Sequence, residues 1–205
     1  MGVMAARRKR NPVWEEVPEE SVPVQDLLDL RDRIDTGHRK AEILEGRLVV
    51  SPMPVFWHER VCLWLEKSFD EACDARDWFP DRAGEIKLPP TEDLIEPDLM
   101  ILRDASTIPD LESLRPLDRV LLAAEVISAS SVRADREVKP EACALAGIPL
   151  YLLVDRFTKP VTVWLHSEPG ANGYARVQTV IAGEKLRIPA PLDLTLDTSS
   201  LPVPT

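Results

Sequence analysis

Between Val120 and Ile127 the chain reads VLLAAEVI, an apolar run interrupted by one glutamate, Glu125. The run is far too short to cross a bilayer. Nearly continuous apolarity over this length reads instead as a central β-strand covered on both faces. Leaving an unpaired carboxylate in such a strand costs several kcal/mol or forces it to take up a proton. A cation is the simplest compensation.

The remaining patterns supply the layers that would cover such a strand. Asp26 to Ile34 has the spacing of a short helix, with Leu27, Leu28, Leu30 and Ile34 on its apolar side. EILEGRLVVSP reads as a tight hairpin about Glu45-Gly46. His58 to Ala75 is predicted helical, with Val61, Leu65, Phe69 and Ala72 in one stripe. EIKLP and PDLMIL are short strand-like runs before the central one. SVRADREVKPEACALAGIP contains a helix ended by Gly147, with Pro149 close behind. LYLLVD follows as a buried strand, and VTVWL, YARVQTV and EKLRIP alternate like antiparallel strands. The order predicts an α/β fold: a mixed sheet flanked by helices, with a β-rich C-terminal extension. Residues 1–25, basic and then rich in Pro and Glu, read as a mobile tail. Residues 26–200 read as one domain, and 44% hydrophobic content in 205 residues is enough for one core.

Charge and cysteine usage narrow the function. A formal charge of −10 argues against a high-affinity, non-specific DNA coat, but leaves room for an enzyme with a small cationic patch and a bound metal. Cys62, Cys73 and Cys143 make no disulfide framework and read as small buried hydrophobes. With no apolar h-region after the basic N-terminus, and no spanning segment, the cytoplasm is the expected compartment.

Asp98, at the head of LMIL, is a second carboxylate in an apolar setting. If its run and that of Glu125 are neighbouring strands, the two acids converge. Hard oxygen ligands of this kind suit Mg²⁺. The alternative is two unrelated acids, one capping a loop and one paired to arginine. Glu125 shares its face with Ala123 and Ile127, so the lysine that a (D/E)XK pattern would place at 127 is absent. Lys139 on the next helix could swing into the same space, or could pair at the surface with Asp135 one turn earlier. His38, His58 and His166 are scattered for a zinc site, and His58 at a helix start is more often a cap or packing residue. Trp57, Trp64, Trp78 and Trp164 read as core rather than as a base-stacking platform.

Taken in order and spacing, EILEGRLVVSP with His58 following, PDLMIL, EVISASS, DREVK and AGIPLYLLVD resemble the Uma2-like restriction endonucleases of the PD-(D/E)XK superfamily, over about residues 41–165. The resemblance implies that Asp98, Glu125 and the backbone carbonyl of Val126 hold the metal, and that Lys139 is the active-site lysine moved from strand to helix. It implies accessory roles for Glu42, His58 and Asp135, and Tyr151 matches a typical family position. The chain departs from the pattern at Ala129 (usually Pro), Cys143 (usually Tyr) and Leu152 (usually Trp). Pro140 directly follows Lys139, so either the helix bends there or its regular part begins at Pro140.

The expected activity is Mg²⁺- or Mn²⁺-dependent hydrolysis of DNA phosphodiesters, with Arg133 and Arg136 contacting backbone phosphates. The rival expectations are a catalytically inactive binding module on the same fold, or a nuclease for RNA or branched nucleic acid. A homodimer is expected of an enzyme that cuts both strands.

Overall fold

The computed structural model describes residues 22–33, 40–52, 55–89, 91–108 and 113–203. The tail before Val22, His38 and Ile34 lie outside these. The apolar run forms β7 (Val120–Val126) of a six-stranded mixed sheet. In chain order this sheet draws on β3 (Trp78–Asp81), β6 (Leu99–Arg103), β7, β8 (Leu150–Asp155), β9 (Thr162–Gly170) and β10 (Gly173–Ile181). Across the sheet they run β10-β9-β8-β7-β6-β3, with only β7 and β8 parallel. All seven residues of β7 are buried, as continuous apolarity requires when both faces are covered.

One face lies under α2 (Phe56–Asp74), whose Val61, Leu65 and Phe69 pack on Leu99, Ile101, Leu122 and Ala124. β11 (Lys185–Ile188) and β12 (Leu194–Asp197), an antiparallel pair, complete that layer through Leu186, Ile188 and Leu196. The opposite face, with Met100, Ala123, Ile127, Tyr151 and Leu153, packs against α3 (Lys139–Leu145) and a second sheet. This second sheet is built from β1 (Ala41–Leu44), β2 (Arg47–Val50), β4 (Ile86–Leu88) and β5 (Asp93–Ile95), ordered β2-β1-β5-β4. α1 (Val24–Arg33) covers it, with Leu27 against Ile43 and Leu94. No helix among the described residues is long and apolar enough to cross a membrane.

The hairpin turns at Glu45 (φ 50°) and Gly46 (φ 68°), both in the left-handed region, as a two-residue primed turn requires. Gly147 (φ 80°) closes α3 in a Schellman arrangement: the Ile148 N–H donates to the Cys143 carbonyl and the Gly147 N–H to that of Ala144. Pro140 is accommodated as one of the two expectations had it, with the regular part of the helix beginning within one residue of it. A wide π-type turn spans Ala134–Val138, and the regular helix starts at Lys139. Pro140 therefore sits in the first turn of the regular helix, directly after the wide turn that interrupts the α-helical hydrogen-bond pattern. The strands β3, β5 and β12 and the separate second sheet were not expected. β5 reads DLI, merged in sequence with the PDLMIL run that follows.

Candidate functional site

Antiparallel pairing of Leu99 with Ala124 puts the next position on each strand, Asp98 and Glu125, opposite one another. Both are buried, at 7% and 2% exposure. Asp98 is bent into place at the strand end by the Val126 N–H, which donates to its Oδ2 at 2.8 Å. His58, in the first turn of α2, reaches the same oxygen through Nε2 at 3.1 Å. The Lys40 ammonium donates to Asp98 Oδ1 at 2.5 Å and stands 3.9 Å from Glu125 Oε2. It occupies the gap between the two acids.

Glu125 faces α3 with its other oxygen. The Lys139 ammonium lies 2.8 Å from Glu125 Oε1, 3.0 Å from Glu42 Oε1 and 3.2 Å from Asp135 Oδ1. All four side chains are buried. Asp135 is thus the neighbour one turn back, as the helix spacing foresaw, but the pair is internal. The wide turn aims both residues inward, and the Tyr151 hydroxyl fixes that turn by donating to the Asp135 carbonyl at 2.8 Å. Glu42 comes from β1 and also accepts from the Glu96 N–H at 3.0 Å.

Four carboxylates (Glu42, Asp98, Glu125, Asp135) therefore meet two ammonium groups, too few to match every acid if all four were ionised. The consequence differs along the cluster. Burial pushes Glu125 well above the usual carboxylate range, and the lysines only partly oppose this. Burial also works against ionised Asp98, but Lys40 and then His58 overcome it and hold the group well below its ordinary value. Burial raises Asp135 despite Lys139. Lys139 is itself held well above its ordinary value: burial opposes the charge, and Glu125, Glu42 and Asp135 outweigh it.

The cluster opens into a cavity of about 650 Å³. Lys40, Glu42, His58, Asp98, Glu125, Val126, Asp135 and Lys139 reach it, with the Ser128–Ser131 loop, Arg82 and Arg156 around them. The structure thus brings Asp98, Glu125, Val126, Lys139, Glu42, His58 and Asp135 together. Arg133 and Arg136 do not line the cavity. Arg133 forks onto Glu45 at 2.9 and 3.0 Å, and Arg136 is bound to buried Asp155 at 2.5 Å. Lys40 escaped sequence reasoning. It precedes β1 by one residue, and its only clue is alternation with Glu42, which places the two side chains on one side.

A second grouping, which takes in His58 but not His166, was not read from the sequence. His58, Cys62 and Asp98 place one ligand atom each within 4.8 Å of one another. His58 and Cys62 are one helical turn apart, and the fold supplies Asp98. The imidazole stands between its neighbours, Nδ1 to Cys62 at 3.5 Å and Nε2 to Asp98. Burial raises the Cys62 thiol strongly, with the Asp98 carboxylate adding to the shift. The same three groups also form a chain of contacts that orients Asp98.

Comparison with known proteins agrees with this architecture. No curated protein matches the chain. Among solved structures, one described as a "putative nuclease belonging to DUF820" from Anabaena variabilis is similar at 14% identity. The likeness covers 88% of this chain and 97% of that one with a TM-score of 0.67, so the fold is shared. The family model Uma2, described as "Putative restriction endonuclease", matches residues 24–199. That match spans the helix α1, both sheets and every residue of the acidic cluster, and the chain accordingly belongs to the Uma2 family.

Proposed function

We propose that the protein is a Mg²⁺- or Mn²⁺-dependent endonuclease that hydrolyses DNA phosphodiester bonds at this cluster. One observation carries the reading: two buried carboxylates from adjacent strands converge on a gap that a lysine ammonium fills. A positive group is needed there, and the hard oxygens around it, with open cavity beside them, fit a divalent ion. Asp98, Glu125 and the Val126 carbonyl would hold the ion, which supplies Lewis acidity and a more acidic bound water.

The chain's own groups have separable tasks. Asp98 stays ionised through Lys40 and then His58, with the Val126 N–H fixing its carboxylate, so it could offer an oxygen to an ion once Lys40 moves aside. Lys139 lies one hydrogen bond from Glu125 and can donate toward a water on that carboxylate, or toward charge developing on the phosphate. Glu42 and Asp135 hold the ammonium in that position and keep it protonated.

Supercoiled plasmid tests the reading. Nicking or cutting is expected with Mg²⁺ or Mn²⁺, and none in chelator or in Asp98→Asn and Glu125→Gln. Cleavage that survives in chelator, or in both variants, would sink it. Cys62→Ala is expected to keep metal binding, since the ion is assigned to the two acids and not to the thiol. RNA and branched substrates in the same assay decide the substrate, and sedimentation decides whether two copies assemble. One observation favours a binding module without catalysis: three carboxylates enclose the Lys139 ammonium. Metal binding without cleavage of any substrate would select that reading.

A further inference from the structure

Four cations line the cavity, and three are already matched by acids. Lys40 meets Asp98, Lys139 meets its three carboxylates, and Arg82 binds Glu59 at 2.7 Å with Glu66 at 3.6 Å. Arg156 is different. Among the described residues it makes no ion pair, although it immediately follows Asp155, which is taken by Arg136. Two rings hold it instead: its guanidinium carbon lies 5.2 Å from the Trp57 ring centroid and 4.9 Å from that of Phe157.

Stacking on ring faces restrains a guanidinium without neutralising it. Its planar edge keeps its N–H donors for an anion, in the fork geometry that suits a phosphate. The clamp is built from two elements: Trp57 in the first turn of α2, and Phe157 just past β8. Its remaining surface is aromatic, since Phe157 is 44% exposed. Ser128, Ser130 and Ser131 add hydroxyl groups to the same cavity.

We propose that Arg156, clamped by Trp57 and Phe157, binds a backbone phosphate of the nucleic-acid strand that enters the cavity, with Phe157 offering a face to a neighbouring base. This rests on the nuclease reading and deepens it. It moves the phosphate contact from Arg133 and Arg136, whose charges are spent on Glu45 and Asp155, to a residue whose charge is unspent.

Fluorescence anisotropy of a labelled oligonucleotide, single-stranded and duplex, measured with Ca²⁺ across a salt series, tests it without relying on cleavage. Arg156→Ala is expected to weaken binding about tenfold or more and to lower the salt slope by roughly 0.7–0.9, the signature of one lost phosphate contact. Arg156→Lys, which keeps the charge but loses the fork and the stack, should fall between the two. Exposed Arg176 on β10 serves as control, and Arg176→Ala should bind like wild type.

The proposal is overturned by Arg156→Ala binding within about twofold of wild type, or with an unchanged salt slope, or by wild type binding neither strand. The two readings separate cleanly. If wild type cuts DNA and Arg156→Ala binds and cuts as well, the phosphate site is wrong and the nuclease stands. If the oligonucleotide binds through Arg156 but Mn²⁺ titration shows no ion at Asp98 and Glu125, the reverse holds.

Discussion

Lys139 is the side chain on which the buried cluster most depends. Removing it would leave Glu42, Glu125 and Asp135 without their shared partner in a low-dielectric site. Lys139→Ala should therefore lose about 3–5 kcal/mol of stability, read from urea unfolding in chelator at neutral pH. A loss below about 1 kcal/mol would mean that the acids simply take up protons. Lys40 predicts the opposite kind of result. Its ammonium stands where a divalent ion would be bound and must leave first, so Lys40→Ala should bind Mn²⁺ more tightly in calorimetry. Unchanged or weaker binding would show that the lysine does not compete.

At the scale of the elements, Gly147 shows how a local signal becomes a boundary. A Cβ there would meet no atom within 4 Å, so only the backbone conformation resists substitution. Gly147→Ala should cost about 1 kcal/mol in thermal unfolding, with no loss of metal binding. This helix end, the hairpin turn, the long helix and the central strand were all legible, because each rests on local chemistry that a short stretch of chain displays. Asp98 and Glu125 were legible for a related reason: an acid in an apolar run advertises its cost. The second sheet was not, since β5 has only three residues and owes its existence to pairing with β1 and β4. Nor could sequence show that Arg133 and Arg136 are engaged elsewhere. Glu45 and Asp155, which bind them, are 88 and 19 residues away along the chain.

The molecule buries its thiols along with the acids of the cluster. Cys62, Cys73 and Cys143 are all internal, burial raises each, and Cys73 is pushed up to about 11. A thiol reagent at mildly alkaline pH should react with none of the three in the folded protein and with all three in urea. Fast labelling of one in native buffer would reveal local opening of α2 or α3.

The excess of carboxylates over ammonium groups in the cluster also predicts an order of arrival for the proposed ligands. With a formal charge of −10 on the whole protein, a divalent cation bound among these acids would lower the repulsion that an approaching polyanion meets. Oligonucleotide affinity should therefore rise when Ca²⁺ is added before the nucleic acid and fall when chelator strips it. On the proposed reading, the acids that would hold the cation would also make its entry the condition for the strand's.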